Sequence, residues 1–115
     1  MDMTISGLMK ESHNTSVSKG WWDDSNRNIG ELLALVHSEI SEALEAYRIT
    51  GASGLNNMWL RDKDGKPEGF TIELADTLIR IFDISAAYEL DLENALKIKM
   101  EFNKSRPYRH GNKKA

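Results

Sequence analysis

No cysteine occurs in this chain, which excludes disulfides, zinc–thiolate sites and thiol catalysis at once. Histidine is scarce as well: His13, His37 and His110 are scattered, and none sits at ligand spacing from another. No apolar run approaches the roughly 18 residues needed to span a bilayer. The opening MDMTISGLMKESHNTS lacks the basic start and apolar stretch of a secretory signal. These absences lead us to expect a soluble, cytoplasmic protein with no membrane partner. A Gly-rich phosphate loop, a Ser-His-Asp set, internal repeats and low-complexity tracts are missing too.

What remains is a chain of 115 residues, 40% hydrophobic and 29% charged, which reads as one globular domain. A chain of this length buries only about two-thirds of its unfolded surface, so helices this apolar would complete their core best against a second copy. The net charge of −3 hides an asymmetry. Residues 97–115 hold Lys97, Lys99, Lys104, Arg106, Arg109, Lys113 and Lys114 against the single acid Glu101, a surplus of six that leaves −9 on the first 96 residues. An acidic body with a basic tail suits a polyanionic ligand bridged by metal, and equally a solvated tail or one that binds nucleic acid weakly.

Hydrophobic periodicity predicts a first, weak helix within Met3–Lys19, a break at Gly20–Asn26, and a second helix over Ile29–Ile49 stopped by Gly51. The stretch Gly51–Gly69, with its glycines, Pro67 and the Asp64-Gly65 turn signal, reads as a long loop. A third helix is expected over Phe70–Leu90, and a fourth from Leu92 to Asn103 capped by Asp91. Pro107 should stop anything further, and no credible strand pair is visible.

Two carboxylate pairs share one spacing: Glu39 and Glu42 on the second helix, Glu73 and Asp76 on the third. Residues three apart on a helix lie about 60° apart and one turn apart along the axis, so each pair can close on one hard cation. On the second helix Leu32, Leu35, Val36, Ala43, Ala46 and Tyr47 form the apolar face, with Glu39 inside it and Glu42 at its edge. Arg48, Ser41, His37 and Glu45 take the wet side. A glutamate within a core stripe requires a partner, a metal or a proton. The third helix is apolar around most of its circumference. Its remaining stripe, Glu73, Asp76, Thr77, Arg80 and Asp83, reads singly as an ordinary solvent face. That reading fits poorly with Glu39. Both oddities cancel if stripe and Glu39 face each other around metal, with Arg80 paired to the acids in its absence.

All-oxygen ligation points to Mg²⁺, with Mn²⁺ as a substitute. Di-iron bundles want Glu-x-x-His, whereas here Glu42 and Asp76 stand at the third position. The run Asp62-Lys63-Asp64-Gly65 would place Leu60 and Thr71 at the first and twelfth positions of a calcium loop, so it reads as a turn.

With both pairs on successive long helices, followed by the run from Lys99 through Asn103, Arg106, Pro107 and Arg109 to Gly111, the chain resembles the all-α nucleoside triphosphate pyrophosphohydrolases, the MazG-like superfamily. The likeness covers nearly the whole chain. It implies a four-helix bundle-like domain over 1–104 completed by homo-oligomerisation, as a homodimer or tetramer, and a basic tail over 105–115. One departure is the 30 residues between Glu42 and Glu73, more than is usual in compact members. The extra length falls in the 51–69 loop.

The resemblance implies hydrolysis of a (d)NTP between the α and β phosphates, giving monophosphate and pyrophosphate. Glu39, Glu42, Glu73 and Asp76 would hold Mg²⁺, and Glu39 or Glu42 would accept a proton from the attacking water. Lys99, Asn103, Arg106 and Arg109 would neutralise the polyphosphate, with Lys97 and Lys113 as further candidates. Trp21 or Trp22 would offer a stacking surface for the base, against the plainer reading that either anchors the first helix. Trp59 reads as an interface or lid residue; Tyr47, Tyr88, Phe82 and Phe102 read as core, and Asp83 as support for the site or a partner of the fourth helix. A narrower base preference is the nearest rival. The alternative of another class is a silent helical interaction module whose basic tail binds nucleic acid.

Overall fold

The computed structural model describes residues 1–112 and 114. Lys113, a candidate phosphate ligand, lies outside the described residues. Four helices of 14 to 22 residues carry the architecture: α1 (Ile5–Ser18), α2 (Ile29–Thr50), α3 (Phe70–Ala87) and α4 (Leu92–Ser105). Three of these helix starts and one end have a local cause in side-chain caps and a glycine. The Thr4 hydroxyl accepts from Gly7 N at 3.1 Å to start α1, Asn28 Oδ1 accepts from Glu31 N at 3.0 Å to start α2, and Asp91 Oδ1 accepts from Asn94 N at 3.1 Å to start α4. Gly51, at φ 70°, ends α2 in a conformation that a side chain would strain.

The expected 51–69 loop is more ordered than its composition suggests. A short 3₁₀ turn spans Ala52–Gly54. Strands β1 (Trp59–Leu60) and β2 (Pro67–Glu68) then pair antiparallel, Trp59 opposite Glu68 and Leu60 opposite Pro67. This corrects the expectation of no strand pair. Two-residue strands carry no alternating pattern to detect, and the pairing is closed instead by the turn: Arg61 Nε and Nη2 reach Asp64 at 2.9 and 2.6 Å, and Gly65 adopts φ 73°. At Gly69 (φ 138°) the backbone passes so close to the Asn57 carbonyl that no Cβ would fit, which locks the hairpin to the start of α3. Beyond Pro107 a one-turn helix, α5 (Arg109–Asn112), forms where none was expected. Proline restricts the residue before it but leaves the chain free to coil two residues later.

α3 packs along both α1 and α2, while α4 makes few contacts, chiefly with α1. The radius of gyration, 16.8 Å, exceeds the roughly 13 Å of a compact domain of this length. The reason is visible in the burial. The core is confined to Leu32, Ala43, Ala46 and Phe82 among apolar side chains, joined by the polar Glu39, Glu73, Thr77 and Ser85. α3 turns its polar stripe inward against α1 and α2 and leaves Leu74, Leu78 and Ile79 exposed. α2 likewise leaves Leu33, Ile40, Leu44 and Tyr47 uncovered, and α4 exposes Leu96, Ile98, Met100 and Phe102. Tyr47, Tyr88 and Phe102, expected in the core, are therefore exposed; only Phe82 of the four is buried. No helix among the described residues is long and apolar enough to cross a membrane.

Candidate metal centre

α2 and α3 cross so that their acidic positions meet. Carboxylate oxygens of Glu39, Glu42 and Glu73 all lie within 4.8 Å of one another. Glu39 and Glu73 are only 8% and 4% exposed, whereas Glu42 opens to solvent. Thr77, buried one turn along α3, donates its hydroxyl to the Glu73 backbone carbonyl at 2.9 Å. Asp76, half-buried one turn further along α3, stands outside this trio yet close enough for its charge to be felt.

Burial and neighbouring negative charge both oppose ionisation of a carboxyl, and Glu73 and Asp76 experience both. Burial first, then the Glu42 carboxylate beside it, then Asp76 and Glu39, push Glu73 up to about 8. Asp76 is also raised, by burial first and then by Glu39, against the opposing pull of Lys66 and Arg80. Glu39 is the acid that has found a counter-ion. Arg80 Nε donates to its Oε1 at 2.8 Å, the pairing expected from the stripe on α3. Glu73 has found none. Its Oε2 is buried and has no hydrogen-bond partner among the described residues, a state that costs about 1–3 kcal/mol or more unless something compensates.

The donors fit a hard divalent cation. All are oxygens, and an octahedral Mg²⁺ at about 2.1 Å sets neighbouring ligands about 3 Å apart and opposite ones about 4.2 Å apart. The trio, with its oxygens within 4.8 Å of one another, reaches that geometry by drawing together.

Two cavities flank the acids. The smaller, about 240 Å³, has Glu42, Glu73, Trp59, Arg61 and Lys66 in its wall. The larger, about 710 Å³, lies between α1, α2 and α3 and reaches Glu39, Asp76 and Arg80 from the other side. Its apolar wall includes Trp21, Leu32, Leu35 and Ile79. Compared with models of known protein families, with curated proteins and with solved structures, the chain matches none.

The other expected site residues are divided. Trp22 serves as an anchor: its indole N–H donates to both Asp83 oxygens at 3.0 and 3.2 Å, and its ring meets His13 and Tyr88 edge-on. Asp83 also lies 2.8 Å from His13 Nδ1. Its partners are thus α1 and the α1–α2 connection rather than the acids or α4. Trp21, exposed on the wall of the larger cavity, is the tryptophan that faces open space. Trp59, expected as an interface or lid residue, lies in β1 and shares the wall of the smaller cavity with Glu42 and Glu73. Lys97, Lys99, Asn103 and Arg109 stand exposed on α4 and beyond it, Arg106 is half-buried at the end of α4, and neither cavity has a described residue past Asp83 in its wall. Lys99 and Arg106 lie over the Phe102 ring. One participant was missed in the sequence. Lys66 borders both cavities, and its only signal was a position just after the Asp64-Gly65 turn.

Proposed function

We propose that the protein is a Mg²⁺-dependent nucleotide pyrophosphohydrolase of the MazG-like kind, cleaving a (d)NTP to (d)NMP and pyrophosphate. The observation that carries this reading is the buried, unpartnered Glu73 oxygen within an all-carboxylate trio from two helices. Such a group needs a cation or a proton, and the oxygen donors select a hard one. A divalent ion held by Glu39, Glu42, Glu73 and Asp76 would neutralise phosphate oxygens and acidify water. The chain's own residues do the rest. Glu42, the exposed member, is the group free to accept the water's proton. The apolar wall of the larger cavity, with Trp21 at its mouth, suits a base, and 710 Å³ accommodates a nucleotide.

The reading includes an assembly. The uncovered apolar positions of α2, α3 and α4 favour a homodimer or tetramer, in which α4 of one copy brings Lys99, Asn103, Arg106 and Arg109 to the acids of another. The test is incubation with each dNTP and Mg²⁺. Pyrophosphate with the matching monophosphate is the expected product pair. Orthophosphate as the first product would mean that another bond is cut. No turnover of any nucleotide, together with salt-sensitive DNA binding, would favour the silent module with a basic tail.

A further inference from the structure

Two cations of the body stand beside the acids. Arg80, on α3 one turn beyond Asp76, is engaged among the described residues only through Nε; its side chain is 41% exposed and borders the larger cavity. Lys66 has no ion-pair partner among the described residues, and the hairpin fixes its backbone, with its N–H donating to Asp64 Oδ1 at 3.2 Å. Among the described residues it is the one cation that borders both cavities. The larger cavity also has Lys19 and Arg27 in its wall. Arg27, however, is committed to the Trp21 carbonyl at 2.6 Å and to the Trp22 ring, and of the four cations Arg80 is the one paired with an acid of the cluster among the described residues.

We propose that Lys66 and Arg80 are this protomer's own polyphosphate ligands, and that Arg80 serves as the resident counter-ion of Glu39 until a divalent ion takes its place. The inference rests on the cation–polyphosphate reading of the site. Glu39 Oε1 cannot hold a guanidinium and a divalent ion together without their repelling each other at close range. Arg80 then turns to the cavity it already borders, where its planar fork meets paired phosphate oxygens. Lys66, on the bridge between the cavities, meets the chain of phosphates as it passes the acids. The long 51–69 segment thereby has a reason for its length, since it carries this lysine to the acids.

The test separates ion from phosphate. Mn²⁺ binding without any phosphate is followed by electron paramagnetic resonance, and inorganic tripolyphosphate binding in excess Mg²⁺ by calorimetry. Arg80→Met should tighten Mn²⁺ on the order of tenfold, because the competing charge is gone, and weaken tripolyphosphate by about the same factor. Lys66→Met should weaken tripolyphosphate about tenfold and leave Mn²⁺ within about twofold. Arg80→Gln, which keeps a donor toward Glu39 without the charge, carries the same expectation where Arg80→Met does not fold. Unchanged or weaker Mn²⁺ binding in a folded Arg80 variant overturns the counter-ion role, and unchanged tripolyphosphate binding in both variants overturns the phosphate role. A wild-type protein that binds neither probe overturns both. Binding as expected with no nucleotide cleaved would instead sink the hydrolase reading alone.

Discussion

Protons and divalent ions should compete for the acid cluster, and the competition can be worked out from Glu73. Its carboxyl titrates near 8 in place of 4.5, driven first by burial and then by the neighbouring acids. A raised carboxyl favours the folded state while it is neutral. Its contribution is complete below about pH 4.5 and is lost as pH rises through about 8. At about 1.4 kcal/mol per pH unit the span has a ceiling of about 5 kcal/mol, and sharing of charge among Glu42, Asp76 and Glu39 reduces this to a few. The raised Asp76 adds with the same sign. In a domain of this size a few kcal/mol corresponds to a fall in Tm on the order of 10 °C. Melting curves in chelator between pH 5 and 9 should show that decline, and excess Mg²⁺ should flatten it by replacing the proton. At pH 7 the Glu73 carboxyl, raised to about 8, is mostly protonated, so Mg²⁺ binding should release protons there and far fewer above pH 9. Calorimetry in two buffers of different ionisation enthalpy reads this directly. A pH-independent Tm in chelator, or a decline that Mg²⁺ leaves untouched, would refute the reasoning.

Further outcomes follow from the same geometry. Glu39→Gln should reduce turnover at least a thousandfold while circular dichroism stays native, because the amide still accepts from Arg80 but no longer carries the charge that a cation needs; unfolding would point to a purely structural ion pair. Trp22→Phe removes the indole donor and strands Asp83 with His13 alone, so Tm should fall by the equivalent of about 1–3 kcal/mol without loss of Mn²⁺ binding. Leu44→Asp or Leu78→Asp, on the uncovered faces of α2 and α3, should convert the assembly to monomers in sedimentation; a wild type already monomeric at micromolar concentration would remove the basis for a shared site. Arg106→Ala should raise KM for nucleotide and leave metal uptake in its absence unchanged.

Much of this was legible in the chain, for identifiable reasons. The 3.6-residue period placed Glu39 among Leu32, Ala43 and Ala46, and all four are buried. α2 and α3 meet where Glu39, Glu42 and Glu73 stand, with Asp76 outside that trio, and Arg80 pairs with Glu39 as the stripe on α3 implied. What was hidden depended on contacts that periodicity does not encode. Taken singly the polar stripe on α3 reads as a solvent face, and only Glu39, set in the core stripe of α2, pointed it inward, where Glu73 and Thr77 are buried. Tyr47 and Phe102 were expected in the core because apolar side chains in so short a chain want cover, and within one protomer α2 and α4 have no cover to give them. Lys66 and the Trp59–Glu68 pairing arise from a turn that three side-chain bonds of Asp64 hold in place, too local and too brief to leave a pattern. Trp22 was divided between stacking and anchoring, and only the position of Asp83 separates the two.

The most direct measurement is anomalous diffraction from crystals of the full chain grown with Mn²⁺ and a non-hydrolysable dNTP analogue. A manganese peak within about 2.2 Å of oxygens from Glu39, Glu42 and Glu73, with phosphate oxygens completing its shell, is the predicted result. Manganese elsewhere, or a nucleotide seated away from these carboxylates in every copy, would contradict the account.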